Sequence, residues 1–314
     1  MPTKALFIID PPEHLDPPTD TTLAIMRESW RRGQQVTFTT LDGLRLREGE
    51  LRATVRSVEF AAAELFTAGP ARELDLMRDC DVVWMRKDPP VDLSYLHSTY
   101  LLDFLPPRVL QINPATALRD VCEKLAPLHF PEFFPPTLVS RSPADLATFV
   151  NRQGRAVLKP LEDCSGRGIV LVDAAMPDLA AIISRVTENS RRFVQGQRYL
   201  ADITSGDIRV LLLGGEILGA VRRVPAPGDF RSNINAGGHC EPCTLGAKEK
   251  ALCARIGPWL RERGIHFAGI DIVGDYLLEV NLTSPSCLRE MNNLYGQRLE
   301  TTILDYVTAK LTSR

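Results

Sequence analysis

Three oxygen-bearing side chains near the C-terminus form the pattern with the clearest chemical meaning. Asp271 lies in one apolar run, Gly274-Asp275 supplies a turn signal, and Glu279 and Asn281 lie two residues apart in the run that follows. This order predicts a β-hairpin, and side chains two apart on a strand share a face. Converging carboxylate and amide oxygens suit Mg²⁺ holding a nucleotide phosphate. The alternative is polar turn chemistry, which the apolar setting disfavours because a buried carboxylate needs a partner.

The register of this hairpin is a prediction in its own right. A two-residue turn at Gly274-Asp275 would place Asp271 opposite Leu278, on the face away from Glu279 and Asn281. The three oxygen ligands can therefore meet only if the connection has an odd number of residues or if one strand carries a β-bulge.

Basic side chains elsewhere could neutralise a polyphosphate. Lys159 ends an apolar run and precedes a polar, glycine-containing loop, which could hold phosphates through the lysine and backbone N–H groups. The motif G-x-x-x-x-G-K-[ST] is absent, so this is not a Walker loop. Arg209, Arg223 and Arg231 could offset charge on a transferring phosphoryl group. Taken singly, an ordinary strand-end lysine and a solvated basic loop are the favoured interpretations, and the metal site in the same unit shifts the balance toward phosphate chemistry for the arginines.

Arg86 lies in a Met-Arg-Lys-Asp-Pro-Pro segment directly after a predicted strand. Open α/β sheets bind ligands beyond the carboxyl ends of their strands, and the two prolines restrict the backbone there. Arg86 could therefore receive a substrate carboxylate through two parallel hydrogen bonds. A salt bridge between Arg86 and a neighbouring aspartate is the alternative.

Length and composition bound the class of protein. A chain of 314 residues with 44% apolar and 24% charged residues can form two or three packed units around a sizeable core. A net charge of −2 does not indicate a nucleic-acid partner. No apolar stretch approaches the roughly 20 residues of a membrane span, and the apolar run near the N-terminus is too short for a signal peptide. We therefore expect a cytoplasmic protein without a membrane partner.

The cysteines and histidines do not define a site. Seven cysteines at irregular spacing do not indicate a disulfide framework. Cys240 and Cys243 form a Cys-x-x-Cys pair, but zinc would need two more ligands, and only His239 and the distant Cys164 are candidates. Two thiols in a loop is the favoured interpretation, with redox sensing as the alternative. The five histidines lie in no nucleophile context, so a catalytic triad is not expected.

Strand and helix signals alternate along the first 120 residues, which predicts an α/β layer with a mainly parallel sheet. The predicted elements are a strand at Lys4–Asp10, a helix capped by Asp20, a hairpin of Leu44–Arg47 with Leu51–Val55, a strand at Cys80–Arg86 and a helix at Leu93–Phe104. The motif G-x-G-x-x-G is absent after the first strand, so a dinucleotide site is not supported.

A proline-rich span at Pro127–Pro136 predicts a linker to two further units. The second unit holds helix 143–152, strands Arg155–Pro160 and Ile169–Val172, helix 178–189 and strand Phe193–Val194. The third holds strands Ile208–Leu213 and Glu216–Val221, a long loop to Leu245, helix 248–263, the Asp271–Asn281 hairpin and helix 296–311.

Eight segments in this order resemble the bacterial glutathione synthetases of the ATP-grasp superfamily. They are Met85–Pro90, Leu118–Leu125, Leu158–Leu161, Gln197–Leu200, Gly206–Arg209, Arg231–Gly238, Gly269–Asp271 and Glu279–Pro285. The segments extend across nearly the whole chain, and the combination is specific although no single segment is.

The resemblance implies an α/β fold with three parts. A Rossmann-like, pre-ATP-grasp domain with a parallel sheet would occupy residues 1–122 and bind the dipeptide. A two-subdomain ATP-grasp α+β fold would follow, with a lid subdomain at residues 123–200. The C-terminal subdomain at residues 201–314 would carry the metal site and the catalytic loop. ATP would lie between the two ATP-grasp sheets.

The resemblance also implies residue roles. ATP would contact Lys124, Lys159, Gln197, Tyr199, Leu200 and Asp207. Mg²⁺ or Mn²⁺ would be held by Asp271, Glu279 and Asn281. Catalysis would involve Arg209, Arg223, Arg231 and Gly238, and the substrate would contact Arg86, Ser284 and Pro285.

The implied reaction is the ligation of γ-glutamylcysteine to glycine by a homo-oligomer, either a dimer or a tetramer. The cysteinyl carboxylate would attack the γ-phosphate of ATP, and the glycine amine would then displace phosphate from the acylphosphate. Three segments depart from the family pattern, namely the lid loop Glu162–Gly166, the stretch Asp16–Asp20 and Arg198. They leave open a paralogue that joins another carboxylate to an amine. A nucleotide-binding regulator without turnover is the other alternative, against which the retained metal ligands argue.

Overall fold

The computed structural model describes residues 2–61, 65–162 and 166–313, with the backbone alone at residue 235. Its elements fall into three groups along the chain. The first comprises β1 (Lys4–Ile8), α1 (Thr21–Arg31), β2 (Gln35–Thr39), β3 (Leu44–Arg47), β4 (Glu50–Phe60), β5 (Phe66–Ala68), β6 (Arg72–Asp75), α2 (Leu76–Asp79), β7 (Val82–Met85), α3 (Leu93–Leu102), β8 (Leu110–Ile112) and α4 (Ala115–Asp120).

The other two groups form the rest of the chain. The second comprises β9 (Thr137–Ser140), α5 (Pro143–Gln153), β10 (Arg155–Pro160), β11 (Val170–Asp173), α6 (Leu179–Val186) and β12 (Val194–Arg198). The third comprises β13 (Asp207–Leu213), β14 (Glu216–Val224), β15 (His239–Pro242), α7 (Ala247–Glu262), β16 (Phe267–Val273), β17 (Tyr276–Asn281), α8 (Leu288–Tyr295) and α9 (Leu299–Thr312).

The first sheet is mixed. Strands β2, β1, β7 and β8 lie side by side in parallel, as the alternating strand and helix signals predicted. Strand β4 pairs antiparallel with β2 and also with β3, β5 and β6. The prediction of a mainly parallel sheet is thus confirmed for four strands and wrong for the extension built on β4, where hairpin connections replace crossover helices.

The second and third sheets are antiparallel and form the two walls of a cleft. Their strand orders are β11-β10-β12-β9 and β15-β14-β13-β16-β17. Most predicted elements of these sheets are confirmed to within one or two residues, and Arg155–Pro160 is confirmed without change. Strand β12 continues to Arg198, whereas the prediction ended it at Val194. The prediction relied on apolar residues, but the polar Gln195 and Gln197 are buried in this strand.

One prediction about the last hundred residues was wrong, and one helix there was not predicted. The loop to Leu245 contains β15, which pairs with β14 because β14 continues to Val224 rather than ending at Val221. The predicted closing helix 296–311 is confirmed to within three residues as α9, and helix α8, which was not predicted, precedes it. Gly296, with a left-handed φ of 64°, ends α8 and turns the chain before α9 begins.

The first and third sheets share their hydrophobic cores. One core joins Phe7 and Trp84 of the first sheet, whose rings stack at 5.5 Å, to Phe267 on β16 and Ile303 on α9. Asn113 makes the polar connection, because its amide donates to the carbonyls of Phe267 and Leu282 at 2.6 and 2.7 Å. Its oxygen accepts from the N–H groups of His266 and Phe267. The two units therefore pack as one body in the described residues.

Within the described ranges, no helix has the length and apolar character needed to cross a membrane. The described cysteines, which exclude Cys164, are all free thiols. The zinc candidate Cys164 and residues 163–165 of the departing lid loop lie outside the described residues.

A buried carboxylate links the two ends of the chain. Asp20 caps α1 as predicted, accepting from the N–H of Leu23 at 2.7 Å. Eight residues later Glu28 accepts from Arg31, Arg32 and Arg298, the last at 2.6 Å from the segment before α9. Hydrogen bonds from the arginines lower the pKa of Glu28 from 4.5 to about 2.

We expect Glu28→Gln to lower the free energy of unfolding by about 3 kcal/mol at pH 7, because the folded protein binds the ionised carboxylate. Urea unfolding measures this, with exposed Glu13→Gln as the matched control. Since the folded pKa is lowered, the Glu28 contribution is present above pH 4.5 and is lost as the pH falls toward 2. A difference between wild type and variant that persists unchanged at pH 2 to 3 would contradict this account.

Candidate functional site

The hairpin of β16 and β17 contains the β-bulge that the metal hypothesis requires. Val273 pairs with Tyr276 and Ile272 with Leu277, as a two-residue turn dictates. The register then shifts, so that Asp271 pairs with Glu279 and Leu278 is the extra residue. The predicted condition for bringing the three oxygen-bearing side chains together is confirmed.

Two aspartates and two arginines form a buried charge cluster on neighbouring strands. Arg209 Nε and Nη2 donate to the two oxygens of Asp271 at 2.5 and 2.9 Å. Arg223 donates in the same bidentate way to Asp207 at 2.8 and 2.5 Å, and its Nη2 also lies 2.9 Å from Asp271 Oδ2. All four residues are buried. Their formal charges cancel, so each ion is compensated within the cluster.

Sheet register explains this arrangement. Asp207 and Arg209 share a face of β13, Arg223 lies opposite Asp207 on β14, and Asp271 lies opposite Arg209 on β16. Burial alone would raise the pKa of Asp271, but Arg209 and Arg223 together hold it below its ordinary value. The acid therefore stays ionised, and the Nη1 groups of the two arginines are not used by these carboxylates.

The predicted metal ligands have the donor types that a hard divalent cation binds. Asp271 and Glu279 lie opposite each other, and the Asn281 amide is 3.3 Å from Asp271 Oδ2. Over the described ranges, no group of three or more His, Cys, Asp or Glu side chains is arranged as a metal centre. The set is instead two carboxylates plus an amide, and both oxygens of Asp271 already accept from arginines. Oxygen donors of this kind fit Mg²⁺ or a similar ion.

A cavity of about 100 Å³, which we call the lid cleft, lies between the second and third sheets. Its lining includes Lys159, Gln197, Arg198, Tyr199, Leu200, Asp207, Arg223, Arg231, Asn233, Asp271 and Glu279. All the predicted ATP-contacting residues except Lys124 therefore face one cleft. Arg198, the departure in the hinge, donates to Tyr276 Oη at 3.0 Å and joins the two walls.

Two lysines, the buried Lys124 and the partly buried Lys159, reach the site from the second group of elements and the segment before it. Lys159 Nζ donates to Gln197 Oε1 at 2.8 Å, and burial lowers the pKa of Lys159 to about 8. Lys124 Nζ lies 3.5 Å from Glu279 Oε1. Lys124 is thus placed at the predicted metal site rather than in the lining of the lid cleft.

A second cavity, of about 170 Å³, lies between the first and third sheets, and we call it the acidic cavity. Its lining includes His14, Asp16, Asp20, Arg86, Asp88, Glu123, Arg209, Arg223, Asn233, Glu279, Asn281, Ser284, Ser286 and Glu290. Arg223, Asn233 and Glu279 line both cavities. The lid cleft and the acidic cavity therefore meet at the charge cluster and the predicted metal ligands.

Arg86 does not form the predicted alternative salt bridge in the described residues. Its Nε donates to Thr22 Oγ1 and its Nη2 to the carbonyl of Pro285, both at 3.0 Å. Its Nη1 is buried without a hydrogen-bond partner among the described residues. Arg86 thus anchors the predicted substrate loop and keeps a donor beside the acidic cavity, while Ser284 lines that cavity directly.

Arg231 and Gly238 lie at the edge of the lid cleft. Arg231 lines that cleft, but its guanidinium is held by Asp229 at 2.8 to 3.2 Å and does not line the acidic cavity described above. A Cβ at Gly238 would approach the carbonyls of Ser232 and Val224 to 2.7 and 3.0 Å, so the backbone there requires glycine. The roles predicted for both residues remain predictions.

The structure adds residues that sequence reasoning missed. Glu123, beside Lys124, is partly buried and accepts from the N–H groups of Leu282 and Thr283 and from the Thr283 hydroxyl. Burial raises its pKa, and Glu279 adds to the shift. An acid in an apolar segment was the available signal. The interpretation of Cys240 and Cys243 as two thiols is confirmed, because both are free, although Cys240 lies in β15 rather than in a loop.

Comparisons with known proteins cover nearly the whole chain. Family models match at residues 3–119, for the prokaryotic glutathione synthetase N-terminal domain, and at residues 123–296, for the prokaryotic glutathione synthetase ATP-grasp domain. Glutathione synthetase of Parasynechococcus marenigrum (strain WH8102) is 40% identical over 94% of this chain and 96% of its own. Glutathione synthetase of Xanthomonas campestris pv. campestris is 39% identical over 98% and 99%.

Solved structures agree on the fold. D-cycloserine synthetase DcsG matches with a TM-score of 0.67 and 15% identity over 98% of this chain and 99% of its own. The ATP-grasp ligase PsnB, complexed with a phosphomimetic variant of its minimal precursor, Mg and ADP, matches with a TM-score of 0.60 and 18% identity over the same shares. The predicted ATP-grasp architecture is confirmed.

We expect Asp207→Asn to destabilise the fold by about 3 kcal/mol, because Arg223 then shares one buried carboxylate with Arg209. The double variant Asp207→Asn/Arg223→Gln should recover part of that loss, since it removes the uncompensated charge. Urea unfolding of the four proteins in this cycle gives the coupling energy, with exposed Asp202→Asn as the control. Strictly additive losses would contradict a coupled cluster.

Proposed function

The chain belongs to the prokaryotic glutathione synthetase family, and from that premise we propose that it joins γ-glutamylcysteine to glycine with the conversion of ATP to ADP and phosphate. The observation that carries this proposal is the match of both family domains in order along the chain, at residues 3–119 and 123–296. The chain is accordingly an ATP-dependent ligase whose product is glutathione.

The two adjoining cavities support separate binding sites for ATP and for the dipeptide. ATP would occupy the lid cleft, with its adenine beside Gln197, Tyr199 and Leu200, and its phosphates directed toward Lys159. The dipeptide would occupy the acidic cavity, with a carboxylate facing the buried Nη1 of Arg86. Phosphoryl transfer would then take place where the two cavities meet.

Charge neutralisation explains why the reaction needs no protein nucleophile. Phosphoryl transfer depends on positioning and on the stabilisation of charge. Arg209 and Arg223 are held rigidly by Asp271 and Asp207, so their remaining N–H groups are already oriented before the reaction begins. Arg231 and the loop around Gly238 would cover the nucleotide and keep water from the acylphosphate.

We propose that Glu279 and Asn281, with Asp271, hold Mg²⁺ or Mn²⁺ at the meeting point of the cavities. The ATP-grasp family uses ATP with a divalent metal in general, and the PsnB ligase of the same fold was solved with Mg and ADP. When bound, such an ion supplies positive charge to the phosphate oxygens. Glu123 would fix the end of β17 through its hydrogen bond from Leu282, and Lys124 would hold the Glu279 carboxylate that binds the metal.

We also propose the domain boundaries, the compartment and the assembly of the protein. The domain boundaries would fall at residues 1–122, 123–200 and 201–314, so that each contains one sheet. The protein would act in the cytoplasm as a homo-oligomer, either a dimer or a tetramer, on small-molecule substrates and without a nucleic-acid partner.

The test of the proposed function is ADP release with Mg²⁺, ATP, γ-glutamylcysteine and glycine, each omitted in turn, with the product identified by mass. We expect turnover only with the complete mixture, and a tripeptide product. Turnover with another acid or amine in place of the dipeptide or glycine, and none with the complete mixture, would identify a different ligase.

We expect Glu279→Gln to lower the ligation rate at least 100-fold, because it removes a ligand charge while preserving the side-chain shape. Steady-state ADP release across a Mg²⁺ titration measures this, with exposed Glu216→Gln on β14 as the control. Near wild-type activity at saturating Mg²⁺ would show that the metal assignment is wrong.

We expect ATP binding at pH 8 to take up a fraction of a proton, because phosphate charge favours the protonated form of Lys159, whose pKa is about 8 in the free protein. Affinity for ATP should accordingly be constant below pH 8 and weaken above it. Calorimetry in buffers of different ionisation enthalpy measures the uptake. It should disappear in Lys159→Arg and persist in Lys248→Arg, and uptake that survives in Lys159→Arg would assign the proton elsewhere.

A further inference from the structure

Glu290 lines the acidic cavity and has no assigned role. It is in the first turn of α8, which begins directly after Cys287, a residue held at a left-handed φ of 79°. Arg209 and Ser286 line the cavity with it. The turn at Cys287 therefore brings a carboxylate to the same cavity as the arginines of the charge cluster.

One oxygen of this carboxylate is buried but unsatisfied. Glu290 Oε2 has no hydrogen-bond partner within the described part of the chain. The Nε and Nη2 groups of Arg209, which lines the cavity together with Glu290, donate to Asp271 instead. A buried carboxylate oxygen without a donor is costly, so the missing partner is expected to be a donor on a ligand.

The other acids that line the acidic cavity are occupied or exposed. Asp20 caps α1, Glu123 accepts from three groups in residues 282–283, and Glu279 faces Lys124. Asp16 and Asp88 are exposed at the rim. Among these carboxylates in the described residues, Glu290 alone has a buried oxygen without a hydrogen-bond partner.

The second half of the reaction needs a group of this kind. An amino-acid amine is an ammonium ion at neutral pH, and it must lose a proton before its lone pair can attack a carbonyl carbon. We propose that Glu290 binds the ammonium of the amine substrate and accepts this proton. The proposal deepens the proposed function and rests on it.

The proton and bond changes balance. The ammonium transfers one proton to the Glu290 carboxylate, and the freed lone pair forms the C–N bond at the acyl carbon. The C–O bond to phosphate then breaks with its electron pair, and the second nitrogen proton leaves with the departing phosphate. Glu290 returns its proton to solvent when the product leaves.

The surroundings of Glu290 suit a proton acceptor near neutral pH. Burial, reinforced by Cys287, raises the pKa of Glu290 to about 7, while Arg289 and Arg209 oppose the shift. A hydrogen bond from Cys240, together with Arg209 and Arg223, lowers the pKa of Cys287 to about 6. A base is most effective when its pKa is near the working pH.

The test compares glycine with hydroxylamine as the nucleophile in wild type and Glu290→Gln. Hydroxylamine is a neutral amine near pH 7.5 and needs no proton acceptor before attack. We expect kcat/KM for glycine to fall about 100-fold or more in Glu290→Gln, with hydroxamate formation changed less than about threefold. Glu249→Gln, the same change in the first turn of α7, should leave both rates unchanged.

The pH profile of wild-type kcat/KM for glycine tests the proposal even if Glu290→Gln does not fold. In wild type, kcat/KM for glycine should rise through a limb near pH 7 that is absent with hydroxylamine and persists in Cys287→Ala. In Glu290→Gln the glycine rate should recover only at alkaline pH, where free amine is abundant. Equal losses with both nucleophiles, unchanged glycine activity, or a limb that vanishes in Cys287→Ala would overturn the proposal. A wild type inactive with glycine would instead refute the proposed function.

Discussion

The structure of this site depends on the requirement that buried charges be compensated. Arg209 and Arg223 lie on central strands of the third sheet, where neither guanidinium reaches bulk water. They are tolerated because Asp207 and Asp271 lie opposite them in register. This pairing holds the two arginines rigid, and it constrains every strand that contributes a member, since a one-residue slip would move an ion to the other face.

The same constraint makes clear what the sequence could and could not predict. The need for a bulge between Asp271 and Glu279 followed from counting residues around a two-residue turn, which is local information. The contact of Arg223 with both Asp207 and Asp271 was not predictable, because it depends on the strand order β14-β13-β16. That order brings together residues up to 64 positions apart in the chain. Sequence patterns report faces of single strands, whereas sheet order decides which faces meet.

Burial of polar residues accounts for most of the other differences. Strand β12 was predicted too short because Gln195 and Gln197 interrupt its apolar pattern. In the structure Gln195 donates to the carbonyl of Lys124 and Gln197 accepts from Lys159, so both amides of β12 make hydrogen bonds to the two lysines of the site. Glu123 and Glu290 were not predicted as site residues, because an isolated acid in a sequence is normally exposed. Residues of this kind become informative only when their surroundings are known.

The shared core has a consequence for how the chain acquires its structure. Leu23 and Met26 of α1 belong to the same apolar cluster as Ile303 and Val307 of α9, and Glu28 meets Arg298 beside them. A ribosome releases α1 long before α9, so the face of α1 that packs against α9 stays uncovered in the growing chain, although its other apolar residues can already pack on the first sheet. Helix α9 thus acts as the closing piece of the first group of elements. Proteins with such long-range closure fold late and rely on protection of the early segment until synthesis ends.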